Sequence, residues 1–217
     1  MRRLITYIDG FNLYYGLKSK GWKRYYWLNI QRLAENLRKP DQQLVMTKYF
    51  TARITSADPG RQKRQSTFLE ALETLKNFQI FYGHYLIKPV TCFRCKNRWN
   101  TYEEKMTDVN IVTELLMDAV SDKFDTALII SGDSDLVPPI RTLKVNYPQK
   151  RLILAFPPAR ECSQLKNCAH GYFTIGEAKI RSSQFPEQVT KADGFVLNRP
   201  AEWLANIRIQ GEKIGQK

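Results

Sequence analysis

Asp9 and Asp133 each close an apolar run. LITYI leads into Asp9 in YIDGFN, and ALII leads through Ser131 and Gly132 into Asp133 and Asp135 in SGDSD. Aspartate is depleted from strands, so carboxylates in these places mark strand ends. In an open parallel sheet, ligands bind at the carboxyl ends of the strands. Gly10 and Gly132 beside them allow tight turns and close backbone approach. A third carboxylate comes from a helix. The repeat of Val109, Val112, Leu115, Leu116 and Ala119 predicts a helix over Glu103–Val120. Asp108 stands at the N-terminal end of its core-facing stripe, with Glu104 one turn earlier on the same side. Asp135 either joins this group or N-caps the helix after it, with Pro138 and Pro139 tolerated in the first turn.

Carboxylates converging on one sheet edge repel and raise one another's pKa values. A hard divalent cation with oxygen ligands removes that cost. The expected ligands of a magnesium or manganese ion are therefore Asp9, Asp108 and Asp133, with Asp135 bound directly or through water. Such an ion lowers the pKa of a water nucleophile and stabilises charge on a phosphate and its leaving oxygen. The chain's own charge selects a phosphodiester as substrate. Its 217 residues carry 34 Lys+Arg against 21 Asp+Glu, a net charge of +13, which argues for a polyanionic partner, nucleic acid first. No Gly-rich dinucleotide or P-loop pattern is present. His84 and His170, the only histidines, leave no Ser-His-Asp arrangement to build on.

The stretch KSKGWKRYYWLNI interleaves Lys18, Lys20, Lys23 and Arg24 with Trp22, Tyr25, Tyr26 and Trp27. Cations that grip phosphates and aromatic faces that stack bases are the pattern of single-strand binding, so contact with a single-stranded nucleic acid is expected here. The alternative is an ordinary loop whose aromatics face the core. RQKR, with Arg61, Lys63 and Arg64, opens a predicted helix, where cations oppose the dipole; it hints at an anion contact or is a solvated face. Cys92 and Cys95 form a CxxC, half of a zinc site. His84, Cys162 or Cys168 would have to complete it, and otherwise the pair is two plain thiols in a hairpin. Cys162 and Cys168 fall on different faces of a predicted helix and read as packing residues.

The elements that position these groups alternate. Apolar or aromatic runs at Leu4–Ile8, Leu44–Ile54, Gln79–Ile87, Thr126–Ser131, Arg151–Phe156 and Tyr172–Ile175 predict strands, several continuously apolar as in sheets buried on both faces. Helices are expected over Leu28–Leu37, Arg61–Phe78 and Glu103–Val120, with shorter ones after Asp135 and Arg160. Strands alternating with helices imply a mostly parallel sheet covered on both faces. One domain over residues 1–176 is expected, with Lys88–Tyr102 inserted into a crossover. Residues 177–217 would then be a tail lying over the domain, frayed at GEKIGQK. With 43% hydrophobic residues the chain can bury a core, which excludes wholesale disorder. No apolar run approaches the ~20 residues of a membrane helix. The charged start MRRLITYIDGFN lacks the apolar core of a signal peptide, so a cytoplasmic location is expected.

YIDGFNLYYGLK, EEKMTDVNIVTELLMDA and DTALIISGDSDLVPPI together resemble the NYN domain, a group related to PIN-like ribonucleases, and the resemblance runs from Arg3 to about Ile175. It implies a three-layer α/β/α sandwich around a central, mostly parallel sheet. It also implies a magnesium- or manganese-dependent ribonuclease site whose acidic positions match Asp9, Asp108, Asp133 and Asp135. Asn12 would be the polar partner in the first motif, or an N-cap, or both. Some domains of this type mainly bind RNA or other proteins, so a non-catalytic RNA-binding or adaptor module that keeps the acidic site is the alternative. A small-molecule phosphatase fits less well beside the basic aromatic stretch.

Overall fold

The computed structural model describes residues 1–54 and 58–204. In chain order its elements are β1 (Arg2–Asp9), α1 (Gly10–Ser19), α2 (Ile30–Leu37), β2 (Gln42–Ala52), α3 (Pro59–Glu73), β3 (Phe78–Thr91), β4 (Arg98–Lys105) and α4 (Thr107–Val120). Then follow β5 (Thr126–Ile130), α5 (Val137–Asn146), β6 (Arg151–Phe156), α6 (Ser163–Cys168), β7 (Gly171–Thr174), α7 (Glu177–Ser182), β8 (Gln188–Thr190) and β9 (Val196–Asn198). Seven strands form one sheet in the order β4-β3-β2-β1-β5-β6-β7, while β8 and β9 form a separate two-stranded ribbon. Every pairing in the large sheet is parallel except β3 with β4.

Period-2 alternation along the strands builds two cores, one on each face. Leu4 and Ile8 of β1 join Leu128 and Ile130 of β5 against α1, α2, α3 and α7, through Leu13, Leu17, Leu33, Leu72 and Ile180. Ile5 and Tyr7 join Ala127 and Ile129 on the other face, against Ile111 and Leu115 of α4, Ile140 and Leu143 of α5, and Leu165 of α6. This is the expected three-layer α/β/α sandwich, with a mostly parallel sheet flanked by helices. Phe185, Val189, Leu197 and Trp203 extend the first core beyond the alternating region. The GEKIGQK stretch lies outside the described residues. Among those described, no helix is long and apolar enough to cross a membrane.

Three expectations are corrected. The helix expected over Glu103–Val120 begins only at Thr107, because the chain before it is β4, paired antiparallel with β3 from Thr91↔Arg98 to His84↔Lys105. Met106, at φ 78°, turns the chain between them. Val109 is exposed and not core; the buried stripe of α4 runs through Ile111, Leu115, Asp118 and Ala119. The helix expected to reach Phe78 stops at Glu73, and Phe78 opens β3 after Asn77 adopts φ 51°. The segment Lys88–Tyr102 is thus the outer part of a long β3–β4 hairpin at the sheet's edge.

The buried face of α4 ends in an unexpected ion cluster. Lys48, in the middle of β2 and 4% exposed, donates to Glu114 at 2.6 Å and to the fully buried Asp118. Tyr7 also donates to Asp118, at 2.7 Å. Burial pushes the Asp118 carboxyl up, but the hydrogen bonds from Lys48 and Tyr7 outweigh it and hold it below its ordinary value.

Candidate active site

β1 and β5 are adjacent and parallel, with Ile8 level with Ile130. Their carboxyl ends therefore deliver Asp9 and the Ser131–Asp135 turn to the same edge. Asp9 is almost fully buried, at 3% exposure. It caps α1: its Oδ1 accepts the backbone N–H of Asn12 at 2.9 Å. Its Oδ2 accepts the Asn12 side-chain amide at 2.8 Å and the Ser131 hydroxyl at 2.9 Å. Asn12 reaches across the two motifs, accepting the N–H of Gly132 at 3.2 Å. Ser131 Oγ accepts the N–H of Asp133 at 3.0 Å, and Asp133 accepts the N–H of Asp135 at 3.0 Å. A single chain of hydrogen bonds thus links both acidic motifs.

Two glycines make this approach feasible. A Cβ on Gly10 would lie 2.7 Å from the Phe50 carbonyl, and one on Gly132 would lie 1.8 Å from the carbonyl of Arg160. Neither position has room for a side chain.

Asp108, in the first turn of α4, is half-buried and faces this edge. Its carboxyl is pushed up to about 7, chiefly by burial and then by the charges of Asp9, Asp133, Glu104 and Asp135. That mutual influence shows the five carboxylates gathered within electrostatic reach. Burial also raises Asp9, opposed by the hydrogen bonds from Asn12 and Ser131. Glu104 stands on β4, where it accepts from the backbone N–H of Thr107 at 3.1 Å and from its hydroxyl, closing the N-terminus of α4. Asp135 is exposed and is not the cap of α5; Asp133 is the residue that closes the turn. Among the described residues, no Lys or Arg pairs with Asp9, Asp108, Asp133 or Asp135. Also among those residues, no three carboxylate, imidazole or thiol groups are drawn into one coordination shell. The arrangement is an open cluster of carboxylates, short of a closed chelate.

The basic aromatic stretch divides. Tyr25 and Trp27 are buried in the core, as the ordinary-loop reading expected. Arg24 pairs with Glu177 at 2.7 Å and lies 4.7 Å from the centre of the Tyr25 ring. Lys18, Lys20 and Lys23 are exposed and Trp22 is half-buried. Lys20 and Trp22 line an open cleft of about 530 Å³ with Pro158, Ala159, Glu161 and Thr174. The loop between Pro158 and Glu161 forms one wall of that cleft, and its Arg160 carbonyl abuts Gly132, so the cleft adjoins the acidic turn. At the start of α3 the anions come from the protein itself: Arg61 and Arg64 pair with Asp58, and Arg64 pairs with Glu202 at 2.8 Å. Lys63 stays exposed.

The CxxC lies at the tip of the β3–β4 hairpin. His84, Cys162 and Cys168 do not complete it. His84 pairs with Lys105 at the hairpin's inner end, while Cys168 is buried on α6 and Cys162 half-buried just before it. These last two act in packing, as their spacing implied.

Ser131 and Lys48 escape sequence reasoning. Ser131 sits in SGDSD, where attention falls on the carboxylates. A lysine in the middle of an apolar run was the available signal for the second, since such a residue needs a buried partner.

Residues 3–177 match the NYN domain. The chain belongs to the NYN domain family. Membership places it in the PIN-like nuclease superfamily. The chain is also similar to the 6-hydroxy-3-succinoylpyridine 3-monooxygenase HspA of Pseudomonas putida (strain DSM 28022 / S16), at 26% identity over 66% of this chain and 56% of that protein. The chain thus spans little more than half the length of that relative. Among solved structures it resembles a protein of unknown function, VPA0982, from Vibrio parahaemolyticus RIMD 2210633. The TM-score is 0.51 at 19% identity, covering 81% of this chain and 94% of that one. That likeness concerns the fold of this NYN domain alone.

Proposed function

We propose that this NYN domain is a metal-dependent endoribonuclease acting on single-stranded RNA. The observation that carries the reading is the convergence of the acidic motifs: Asp9 and Asp133 leave adjacent parallel strands at one edge, joined through Asn12 and Ser131, and Asp108 lies within electrostatic reach of both. Five hard oxygen donors at one sheet edge suit magnesium or manganese by chemistry. Asp9, Asp108 and Asp133 would hold the ion, with Asp135 beside them. Bound there, it supplies a Lewis acid that activates water and neutralises charge on a phosphate.

The chain's own residues supply the rest. Asn12 and Ser131 fix the orientation of Asp9 and oppose its protonation. The Ser131–Asp133 contact sets Asp133 in register with it. Lys20 offers a cation for the backbone of a strand leaving the site, and the half-buried Trp22 offers an apolar face for a base. The net charge of +13 draws RNA to the domain as a whole.

The deciding experiment incubates the purified chain with a pool of single- and double-stranded RNA, in magnesium, in manganese and in chelator, beside an Asp133→Asn preparation. Cleavage of single strands that needs metal and is lost in Asp133→Asn is expected. Binding without cleavage in either metal would make the domain an RNA-binding module, and neither binding nor cleavage would refute an RNA function.

A further inference from the structure

All the cysteine and histidine residues of these 217 residues are accounted for: Cys92, Cys95, Cys162, Cys168, His84 and His170. Four of them are engaged or remote. Cys168 is buried in the core and Cys162 packs against it. His170 accepts the Leu152 N–H through Nδ1 at 3.1 Å. These three belong to the β6–β7 end of the sheet, opposite the β3–β4 end. His84 stands at the inner end of the hairpin, about 26 Å from Cys92 at the ~3.3 Å rise of a strand. Cys92 and Cys95 are therefore alone at the tip.

Their local geometry is that of a metal-binding turn. The Cys92 N–H donates to the Asn97 carbonyl at 2.8 Å, and the Lys96 N–H donates to the Cys92 carbonyl at 3.0 Å. Lys96, directly after the second cysteine, adopts φ 57°. These bonds close a tight turn that holds Cys92 and Cys95 together at the tip. In a closed zinc site four ligands surround the ion, and a set of four cysteines is one of the standard ones. This turn provides two of the four.

The surroundings indicate what provides the others. Phe93, inside the CxxC, is 91% exposed, and Leu86, Ile87 and Trp99 are also exposed along the arm. Phe93 and Cys95 thus share one solvent-facing tip. β4 is the terminal strand of the sheet, and among the described residues no strand pairs with its outer edge; such an edge can take a partner strand. A two-fold axis doubles every group at the surface it passes through, turning two thiolates into four. We propose that Cys92 and Cys95 from two copies of this chain share one zinc ion, joining the β3–β4 hairpins in a symmetric dimer. Binding converts four thiols into four thiolates and releases their protons to solvent.

The test starts from reduced chain stripped of metal and titrated with zinc under reductant, followed by native mass spectrometry and sedimentation. A shift from monomer to dimer is expected, saturating at about one zinc for every two chains, the stoichiometry of a shared four-thiolate site. Cobalt in place of zinc should give the absorption of tetrahedral thiolate ligation, which distinguishes the sulfurs from the carboxylate cluster. Cys92→Ser with Cys95→Ser should stay monomeric in zinc and lose the cobalt signal. Circular dichroism should match the parent, because the tip is exposed. One zinc per monomeric chain, no thiolate-bound metal, or a dimer indifferent to zinc and to the double substitution would each overturn the proposal.

Discussion

In the metal-free domain, Asp108→Asn should stabilise the fold at pH 8. The carboxyl of Asp108 moves from an ordinary 3.8 to about 7. That is roughly three powers of ten in proton affinity, or ~4 kcal/mol at 1.36 kcal/mol for each. Because Asp108 is only half-buried, solvent screening reduces this to about 2 kcal/mol. The sign follows from linkage. The folded chain holds the proton more tightly than the unfolded chain, so the folded state is favoured at low pH. That advantage is lost as pH rises from 3.8 to about 7. Asparagine does not titrate, so the variant escapes the loss. Urea unfolding in chelator should show the two proteins equal near pH 4, with the variant about 2 kcal/mol more stable at pH 8. Saturating magnesium should then close or reverse the gap, since an ion stabilises only the chain that binds it. A gap absent at pH 8, or equally large at both pH values, would show that Asp108 is not held neutral by its neighbours.

Gly132→Ala places a methyl group 1.8 Å from the Arg160 carbonyl, so it should cost about 1–3 kcal/mol in urea unfolding and abolish RNA cleavage by shifting Asp133. Lys48→Met leaves the buried Asp118 carboxylate with Tyr7 and the exposed Lys123, 3.1 Å away, as its partners and should cost about 3 kcal/mol, whereas Lys48→Met with Asp118→Leu should lie nearer the parent; equal losses in both would remove the ion pair from the account. In an Asp133→Asn background, Lys20→Ala should lower the salt slope of single-strand RNA binding by about 0.7, and Trp22→Ala should weaken binding by ~1–3 kcal/mol at every salt concentration. Fluorescence anisotropy reads both. Arg24→Ala, whose charge is matched by Glu177, should leave the slope unchanged.

The sheet was legible because its strands are apolar on both faces and its turns are acidic or glycine-rich. Asp9, Asp133 and Asp108 were legible from position: two follow apolar runs, and the third opens a helical stripe. β4 was not. EEK reads as helix by propensity, and only its pairing with β3 overrides that preference, a long-range contact that local pattern does not contain. The fate of the aromatics between Trp22 and Trp27 was equally hidden. A tryptophan that stacks a base and one that fills a core look alike in sequence, and the choice here depends on Phe185 and Trp203, which arrive from far along the chain to surround Trp27. Arg61 and Arg64 were read as an anion contact or a solvated face; the anions they pair with are Asp58 and Glu202.

Asn12 shows why the acidic motifs are inseparable from the fold. Its amide donates to Asp9 from Nδ2 and accepts from Gly132 through Oδ1. Aspartate at that position could not donate to Asp9 and would add a charge beside it, and a longer glutamine would not fit the same span. The amide thus reads out two strand ends at once: β1 through the carboxylate and β5 through the N–H of Gly132. Ser131 makes the same link in the other direction, donating to Asp9 while accepting from Asp133. Burial favours a neutral Asp9, and these donors favour its charged form. Two of these donors come from Asn12, three residues along the same motif, and only the Ser131 hydroxyl requires β1 and β5 side by side in parallel register. Strand pairing thus adds the Ser131 donor, which with Asn12 opposes the rise that burial imposes on Asp9, and Asp133 reaches the same edge only as the centre of the sheet completes.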